Sequence, residues 1–430
     1  MSVSKENVFA ELGLSSLLVK NLFIAGMHKP KLIQERAIPV MLKGHDILGI
    51  AQTGSGKTLA FSLPILNRIL ALGDKRHPKT ARALILVPTR ELAIQIEEAI
   101  SAVAKGTHLS TCLILGGMSR LTQIRRMAKG VDILVATPGR LIDLIRSKYV
   151  DLSKSRFFIL DEADRMLDMG FINDVRQIAN FLHKKCQTAL FSATMSKEVN
   201  VLADNLLKKP VKIEVVSQGT TAAEITQVLY CVSTSEKKSV LGKLLTNPAL
   251  ASVIVFIRTK HGADSVARSL AKTGYSVATI HGNKSQNARQ RALKDFREGL
   301  VRVLVATDIA ARGIDIPRIS HVINYDLPDN AESYVHRIGR TGRNSASGDA
   351  ITLFDEKIEQ VRLCAIERLI RMKITRKEIP LQFASLPEKL AEPKIYKREG
   401  SKKRHLREFK DRENLNSTDK IAQLKSKKTH

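Results

Sequence analysis

The sequence predicts two tandem α/β domains, each built on a parallel β-sheet, followed by a basic C-terminal tail. Short continuous runs of Ile, Leu and Val alternate with longer segments of helical periodicity. This alternation is typical of strands that are buried on both faces and linked by helices. It occurs twice, on either side of a small polar segment at residues 216–224, and it fades beyond about residue 380.

Apolar runs mark the individual strands. In the first half they predict strands at residues 46–50, 83–87, 111–115, 132–136, 157–160 and 188–191. In the second half they predict strands at residues 252–257, 276–280, 301–306, 321–325 and 349–354. A helix is predicted over 90–105, where apolar residues recur at helical spacing and Gly106 follows. Right-handed crossovers through such helices would make both sheets parallel.

These patterns set the predicted domain boundaries. The first domain covers residues 1–215 and the second covers 225–380, with a linker at 216–224. Residues 381–430 are predicted to be a basic, flexible tail.

The charge balance predicts a polyanionic partner. The 430 residues carry a formal charge of +28, which favours nucleic acid over a membrane surface. Residues 391–430 contain 13 Lys and Arg against 6 Asp and Glu, so most of the excess lies in the part expected to fold. From charge alone, the alternative is a basic protein without a specific polyanionic partner, or one that is associated with ribosomes.

The cysteine spacing and the hydropathy of the sequence indicate the cellular compartment in which the protein is expected. The four cysteines form no C-x-x-C pair, which argues against a disulfide framework or a zinc site. We expect them to be small core residues in a reducing compartment. The sequence contains neither an apolar run of about 20 residues nor a signal-peptide pattern. We therefore expect a cytoplasmic protein without a membrane partner.

A phosphate-binding loop is predicted at "AQTGSGKT", residues 51–58, between a strand and a helix. Ala51 stands where the strict pattern has Gly, but the two glycines that let backbone N–H groups turn toward phosphate are present. An ordinary glycine-rich turn with an exposed Lys is the alternative. The predicted nucleotide-binding residues here are Gln52, Thr53, Gly54, Ser55, Gly56, Lys57 and Thr58.

Within this loop, Lys57 is expected to reach the β- and γ-phosphates and Thr58 to offer its hydroxyl to Mg²⁺. The stretch "FFILDEADRMLDMG" supplies the matching acids at the end of a predicted strand. Ligands of parallel sheets bind at such strand ends, so Asp161 is expected to hold Mg²⁺, directly or through water. Glu162 is placed to orient or deprotonate the attacking water. Asp168 is expected to face solvent.

Ten motifs in order resemble those of the DEAD-box ATP-dependent RNA helicases of helicase superfamily two. The resemblance covers about residues 9–354 and implies two RecA-like domains, ATP and Mg²⁺ as cofactors, and RNA as the partner. Within the family, the compact core and short tail resemble the bacterial RhlE type. The motifs are AQTGSGKT, PTREL (88–92), GG (116–117), TPGR (137–140), DEAD (161–164), SAT (192–194), VFIRTK (255–260), QNAR (286–289), ATDIAARGID (306–315) and HRIGRTGR (336–343).

The resemblance implies further nucleotide contacts. In the adenine-reading region, residues 7–35, it places Phe9 against adenine and Gln34 on the adenine edge, although plain core packing is equally open for Phe9. Met27 and Lys31-Leu32 depart from the family pattern, which puts strict ATP preference in doubt. In the second domain it implies nucleotide contacts by Gly313 and Asp315, with Asp315 holding the ribose. It also implies γ-phosphate and arginine-finger roles for Arg340 and Arg343.

The resemblance also implies RNA-backbone contacts and couplings between domains. Glycines, small hydroxyls and arginines suit phosphate and sugar contact, so binding independent of sequence is expected. The implied coupling residues are Asp164, Ser192, Thr194 and His336. The implied RNA contacts are Pro88, Thr89, Arg90, Gly116, Gly117, Thr137, Pro138, Gly139, Arg140, Gln286, Arg289 and Thr307.

The predicted function is therefore ATP-driven local unwinding of short RNA duplexes by a monomer that also binds single-stranded RNA. Ribosomal precursors or the RNA-degradation machinery are the expected cellular partners. A DNA-directed motor of the same superfamily and a non-enzymatic RNA-annealing or scaffold protein are the alternatives. The basic tail is expected to add affinity for the RNA backbone.

Overall fold

The computed structural model describes residues 8–52, 54–215, 225–308, 319–342 and 348–378. These residues form two α/β lobes, the first lobe (residues 8–215) and the second lobe (residues 225–378). Each lobe contains a seven-stranded sheet in which all paired strands are parallel. The two tandem parallel sheets confirm the predicted RecA-like architecture.

The first lobe alternates strands and helices along the chain. Its strands are β1 (Ile47–Ala51), β2 (Ala81–Leu86), β3 (Thr111–Ile114), β4 (Val131–Ala136), β5 (Phe157–Leu160), β6 (Gln187–Ser192) and β7 (Val211–Val215). Its helices are α1 (Val8–Glu11), α2 (Ser16–Ile24), α3 (Leu32–Leu42), α4 (Lys57–Leu70), α5 (Arg90–Val103), α6 (Arg120–Met127), α7 (Pro138–Arg146), α8 (Ala163–Asp168), α9 (Ile172–Ala179) and α10 (Lys197–Leu206). The strand order is β3-β4-β2-β5-β6-β1-β7.

The second lobe repeats this plan. Its strands are β8 (Ile225–Cys231), β9 (Val253–Phe256), β10 (Val277–Ile280), β11 (Val303–Ala306), β12 (His321–Asn324), β13 (Gly348–Phe354) and β14 (Thr375–Lys377). Its helices are α11 (Lys237–Leu244), α12 (Lys260–Lys272), α13 (Gln286–Arg297), α14 (Ala331–Ile338) and α15 (Glu356–Ile370). The strand order is β10-β11-β9-β12-β13-β8-β14.

Helices cover both faces of each sheet, which explains the continuous apolar strands. Along β2, Ala83 and Ile85 belong to one buried cluster, whereas Leu84 and Leu86 belong to another on the opposite face. Strand β9 divides in the same way between two clusters of the second lobe. A strand of this kind buries every side chain, so it has no polar alternation.

Eleven strands match the predicted apolar runs to within about two residues at each end, but β7, β8 and β14 were missed. β7 and β14 are edge strands with mostly exposed side chains, and β8 alternates buried and exposed positions. None of the three therefore contains the continuous apolar run used as the criterion. The predicted helix at 90–105 is confirmed as α5, and Gly106 follows it with φ of +76°.

The cysteine prediction is wrong for two of the four residues. Cys112 and Cys186 are buried, as expected, but Cys231 and Cys364 are exposed. Burial, the larger cause, raises the pKa of Cys186 to about 12, and the charge of Asp46 adds to this effect. Within the described ranges, no helix is long and apolar enough to span a bilayer. The linker at 216–224 and the tail at 381–430 lie outside the described residues, so the domain limits stay predictions.

Candidate active site

The phosphate loop lies between β1 and α4, at the carboxyl edge of the first sheet. Gly54 and Gly56 adopt φ of +86° and +96°, in the left-handed region that only Gly enters easily. Gly56 also precedes the first helical residue of α4. A Cβ at Gly56 would lie 2.6 Å from Nε2 of Gln34. This position therefore requires Gly for both backbone conformation and space.

Lys57 is the first residue of α4 and is 93% buried, with 7% of its surface exposed. Its ammonium donates a hydrogen bond of 2.7 Å to the carbonyl of Ala51, at the start of the loop. The hydroxyl of Ser55 donates to the carbonyl of Gln52 at 2.7 Å, and Thr58 follows half-buried in the first turn. The loop is thus held by its own polar side chains. Thr53 lies outside the described residues.

Two residues of the predicted adenine-reading region, Lys31 and Gln34, form hydrogen bonds with this loop. The backbone N–H of Lys31 donates to Oε1 of Gln34 at 2.9 Å, and Nε2 of Gln34 donates to the carbonyl of Gly56 at 3.0 Å. The ammonium of Lys31 donates to the carbonyl of Gly54 at 2.7 Å. Lys31, one of the departures from the family pattern, is therefore a direct contact of the phosphate loop. The sequence pattern alone shows Lys31 only as a departure that puts strict ATP preference in doubt.

Phe9 is 1% exposed and belongs to the main buried cluster of the first lobe. Of the two interpretations left open for this ring, the structure shows core packing. The predicted adenine contact of Phe9 stays a prediction.

Asp161 follows β5 and is 2% exposed. In the sheet, β6 alone separates β5 from β1, which places Asp161 and the phosphate loop on the same edge. Burial raises the pKa of Asp161 to about 6, the nearby charge of Lys57 opposes this, and the charge of Glu162 adds to it. Two residues that are 104 positions apart in the chain, Lys57 and Asp161, thus interact electrostatically.

Glu162 has a left-handed backbone, with φ of +56°, which is uncommon for a residue other than Gly. Its carboxylate forms a buried ion pair of 2.5 Å with Arg165. Strained backbone of this kind persists where the surroundings hold it and often marks a functional site. The ion pair fixes the position of the predicted water-orienting carboxylate. Arg165 was missed because an Arg at i+3 from an acid is common on helix surfaces.

Asp164 joins the acidic segment to the segment after β6. Its Oδ2 accepts hydrogen bonds from the backbone N–H groups of Ala193 and Thr194, at 3.1 and 3.0 Å, and from the hydroxyl of Thr194 at 3.2 Å. The hydroxyl of Ser192 donates to the carbonyl of Thr194 at 2.7 Å. The structure brings these three predicted coupling residues together. Asp168, by contrast, is exposed, as predicted.

In the second lobe, the predicted arginine motif lies at the end of α14. Arg340 is 4% exposed and His336 is half-buried in the last turn of this helix. Arg343, Gly313 and Asp315 lie outside the described residues, so their roles stay predictions.

Arg337, which the sequence reasoning passed over, anchors the arginine motif. It is 2% exposed and donates to both carboxylate oxygens of Asp308 at 2.6 and 2.7 Å. It also donates to Oδ1 of Asn324 at 3.2 Å and to the carbonyl of Asp326 at 2.6 Å. Arg337 therefore ties the end of β11 to the end of β12. A run of three arginines in one motif does not show which of them is structural.

The predicted RNA contacts of the first lobe follow β2, β3 and β4, at the same carboxyl edge as the phosphate loop. Gly117 has φ of +72°, and a Cβ there would clash with the guanidinium of Arg90. Arg140 donates to the carbonyl of Met118 at 3.1 Å. The structure thus brings most of the set together on one edge. Its members are Pro88, Thr89, Arg90, Gly116, Gly117, Thr137, Pro138, Gly139 and Arg140.

Three predicted RNA contacts come from the second lobe, and two of them meet the first lobe directly. Nε2 of Gln286 donates to Oε1 of Glu91 at 3.0 Å, and Nη2 of Arg289 pairs with the same oxygen at 3.1 Å. All three side chains are at least 89% buried. Thr307 is buried at the end of β11. Glu91 was missed because its acidic side chain does not suit a phosphate contact.

The residues present fit a Mg²⁺ ion that binds mainly through nucleotide and water oxygens. The buried carboxylate of Asp161 is disfavoured as an anion, so a nearby cation would offset that cost. The hydroxyl of Thr58 supplies a second oxygen in the first turn of α4. Across the described ranges, no group of three His, Cys, Asp or Glu side chains could hold a metal. That is compatible with Mg²⁺, which keeps several waters and needs few protein ligands.

Sequence comparison places the chain in a family. Residues 31–202 match the DEAD/DEAH box helicase family and residues 236–345 match the helicase conserved C-terminal domain. The chain therefore belongs to the DEAD-box helicases. It is 41% identical over 372 residues to the DEAD-box ATP-dependent RNA helicase RhpA of Helicobacter pylori, covering 86% of this chain and 74% of that protein. It is 43% identical over 381 residues to the RNA helicase CrhR of Synechocystis, covering 88% and 76%.

Solved structures agree with this assignment. Saccharomyces cerevisiae Dbp5 bound to RNA and ADP BeF3 superposes with a TM-score of 0.77 at 34% identity, covering 87% of this chain and 97% of that one. Dbp5 L327V bound to Gle1 H337R and IP6 gives a TM-score of 0.68 at 34% identity, covering 86% and 95%. The family is thus established, whereas the RhlE-type subgroup stays a prediction.

Proposed function

We propose that this protein is an RNA-stimulated ATPase that unwinds short RNA duplexes locally and binds the RNA backbone without sequence preference. One observation carries the proposal: the phosphate loop, Asp161, Glu162 and the predicted RNA contacts share one edge of the first sheet, and the second lobe contacts that edge. Nucleotide chemistry and RNA binding can therefore respond to the same movement of the lobes. The names of RhpA and CrhR support RNA rather than DNA as the substrate.

At the nucleotide, the side chains of the first lobe have separate tasks. When ATP binds, the ammonium of Lys57 gives up its hydrogen bond to the carbonyl of Ala51 and contacts the β- and γ-phosphates. Gln34 and Lys31 hold the loop through their hydrogen bonds to the carbonyls of Gly56 and Gly54. Asp161 and Thr58 would hold Mg²⁺, whose charge screens the phosphates and favours phosphoryl transfer. Glu162, held by Arg165, orients the attacking water. Arg340 and Arg343 supply positive charge from the second lobe to the γ-phosphate.

The coupling to RNA runs through hydrogen bonds present in the first lobe. Asp164 ties the acidic segment to Ser192 and Thr194, and His336 extends this link to the second lobe. ATP and RNA both favour contact between the lobes, and hydrolysis releases it. Bending of the bound strand on closure separates the duplex. Ribosome assembly or RNA turnover in the cytoplasm is the proposed setting, with the protein acting as a monomer.

The arrangement of the lobes supports this cycle. The chain superposes better on Dbp5 bound to RNA and ADP BeF3 than on Dbp5 bound to Gle1 and IP6, with TM-scores of 0.77 and 0.68 at the same 34% identity. This difference supports the proposal that the lobe contact through Glu91 belongs to the RNA-bound state of the cycle.

The variant Glu162→Gln tests the proposal. It removes the carboxylate that orients water but keeps the side-chain volume, so ATP and RNA binding should persist while turnover falls about 10²-fold or more. The measurement is phosphate release with saturating RNA, alongside nucleotide and RNA binding. The exposed Glu98→Gln is the matched control and should behave like wild type. Wild-type turnover by Glu162→Gln would overturn its role, and stimulation by DNA equal to that by RNA would overturn the substrate.

A further inference from the structure

A basic cleft lies on the edge of the first sheet opposite the active site. Its lining comes from the starts of β1, β5, β6 and β7, which form the amino edge of four neighbouring strands, and from Arg68 in the last turn of α4. The cleft has a volume of about 910 Å³. Strand β6 has six residues, so at about 3.3 Å per residue the cleft is roughly 20 Å from the edge that carries the phosphate loop. It is not part of the active site.

The lining is dominated by cations. Seven of its thirteen residues are Lys or Arg and one is acidic. The acid, Asp46, is 7% exposed, and its two carboxylate oxygens accept backbone N–H groups of Thr188 and Lys208, each at 2.8 Å. The carboxylate of Asp46 therefore binds backbone N–H groups of the cleft and forms no ion pair with the cations that line it. The seven cations are Arg68, Lys154, Arg156, Lys184, Lys185, Lys208 and Lys209.

Within the described part of the chain, these cations have no carboxylate partners. Among the residues that the structure describes, none of the seven forms an ion pair with a carboxylate. Burial, the larger cause, and the charge of Arg156 lower the pKa of Arg68. Elsewhere in the same lobe, Arg76 and Arg82 share the carboxylate of Asp132. The cleft is thus a concentration of uncompensated positive charge, which attracts polyanions.

Two of the cations are held in place by protein contacts. Arg68 donates to Oε1 of Gln187 and lies 4.8 Å from the centre of the Phe157 ring. The ammonium of Lys208 donates to the carbonyl of Lys184 at 2.6 Å. Such contacts reduce the conformational entropy that these long side chains would lose on binding a ligand.

The chemistry of the lining indicates which part of a polyanion it would contact. The thirteen lining residues include no Phe, Tyr or Trp, and only the imidazoles of His45 and His183 could stack on bases, so the seven cations make phosphate contact the dominant chemistry of the cleft. Lys ammonium groups bind phosphates as point charges without a required orientation. A neighbouring cleft of about 670 Å³ shares Lys184 and Lys208 and adds Arg176, Asn180 and Asn205. The two clefts together form an extended groove, which suits a chain of phosphates better than a single small anion.

We propose that this groove is a second RNA-binding site, which holds the phosphate backbone of RNA that extends beyond the helicase core. The proposal rests on the proposed function, because RNA is taken to be the polyanion that the protein meets. The groove binds flanking RNA without sequence preference and so raises the affinity for long RNA over short RNA. It takes no part in ATP hydrolysis, which depends on the opposite edge of the sheet.

The test compares two RNAs of different length. The short RNA is the shortest single strand that gives full ATPase stimulation, and the long RNA carries the same sequence with a single-stranded extension. In full-length protein, the variant Lys184→Glu/Lys185→Glu/Lys208→Glu should weaken binding of the long RNA roughly tenfold at 0.1 M salt and lower the slope of log K against log salt by about 2. Binding of the short RNA and the maximal ATPase rate should not change.

Two controls keep this test decisive. The milder variant Lys184→Gln/Lys185→Gln/Lys208→Gln should show a smaller loss in the same direction, without introducing negative charge. The variant Lys20→Glu/Lys105→Glu/Lys129→Glu makes the same charge change at exposed lysines of the first lobe outside the groove. It should leave the preference for long RNA intact.

Each outcome decides a different point. Equal losses for the groove variant and its control would show a general charge effect and overturn the second site. Unchanged affinity for the long RNA would also overturn it, and would leave a protein partner as the occupant to seek. A wild-type protein without RNA-stimulated ATPase would instead overturn the proposed function, while preference for long RNA could still be measured by binding alone. Photocrosslinking of the RNA extension should label residues 183–209.

Discussion

At the carboxyl edge of the first sheet, which carries the phosphate loop, the carboxylate of Asp161 is ionised at a cost to the stability of the fold. Asp161 is almost fully buried, and burial raises its pKa from an ordinary value near 3.8 to about 6. The ammonium of Lys57 offsets part of this cost but is itself bonded to Ala51. An anion kept at such a cost is typical of functional sites, where binding of a cation or substrate repays it.

The variant Asp161→Asn should therefore stabilise the protein in metal-free buffer while abolishing ATPase activity. The folded state binds the Asp161 proton more tightly than the unfolded state does, so ionisation costs stability that accumulates between pH of about 4 and 6. Above this range the gain from Asn should reach about 3 kcal/mol, the equivalent of this pKa difference. Thermal unfolding in chelator would show a gain at pH 8 that shrinks as the pH is lowered toward 4.5.

The exposed Asp168→Asn, seven residues further along, is the control and should show no such gain. If Asp161→Asn destabilised the metal-free protein at pH 8, the carboxylate would be a net stabiliser and the account of its burial would be wrong. An identical gain at both pH values would also contradict the account, since it could not come from ionisation.

At the scale of elements, buried ion pairs attach helices to the second sheet. Lys237, at the start of α11, is 1% exposed and donates to Glu359 of α15 at 2.8 Å and to the carbonyl of Tyr325 at 2.9 Å. Glu359 also accepts the backbone N–H groups of Leu327 and Asp355, each at 2.9 Å. One carboxylate thus joins α11, α15 and the segment after β12.

Removing one partner of this network should be costly, because Glu359 would keep a buried charge without its cation. Lys237→Met should lower the free energy of unfolding of the second lobe by about 3–5 kcal/mol. Denaturant unfolding measures the loss. The neighbouring exposed Lys238→Met is a matched control and should stay within about 0.5 kcal/mol of wild type. A small loss at Lys237 would show that the two backbone donors suffice for Glu359.

At the scale of the whole molecule, Glu91 joins the two lobes. A single carboxylate oxygen of the first lobe receives Gln286 and Arg289 of the second lobe. Burial, the larger cause, lowers the pKa of Arg289, and the charge of Glu91 opposes this shift. Because Gln286 and Arg289 are predicted RNA contacts, the lobe contact and the RNA surface share side chains.

The variant Glu91→Ala should weaken closure and hence RNA-stimulated ATPase. Losing hydrogen bonds to a charged group costs about 1.5–3 kcal/mol, so the RNA concentration for half-maximal ATPase should rise roughly tenfold or more. ATPase without RNA should change little. The control is Glu98→Ala, exposed two turns along the same helix. Tighter RNA binding by Glu91→Ala would instead show that Glu91 competes with phosphate for Arg289.

Local sequence predicted much of the fold and most of the described residues at the carboxyl edge of the first sheet, where the candidate active site lies. Strands buried on both faces leave continuous apolar runs, and Gly54 and Gly56 stand where phosphate needs backbone N–H groups, so both are visible without a structure. Edge strands such as β7 and β14 are mostly exposed and leave no such signal. The assignments to Asp164, Ser192 and Thr194 depended on the family resemblance, and the contacts among them agree with it.

The sequence by itself determined the parallel-sheet architecture and the order of the motifs, because both depend on residues close together in the chain. Only the tertiary structure decided which polar residues work as pairs. Glu162 with Arg165, Arg337 with Asp308, and Glu91 with Arg289 are set by burial and packing, which local pattern does not encode. The same is true of the basic groove, where separate segments bring to one edge of a sheet cations that pair with no carboxylate among the described residues. Charge composition reports how many cations there are, whereas folding decides which of them meet a carboxylate.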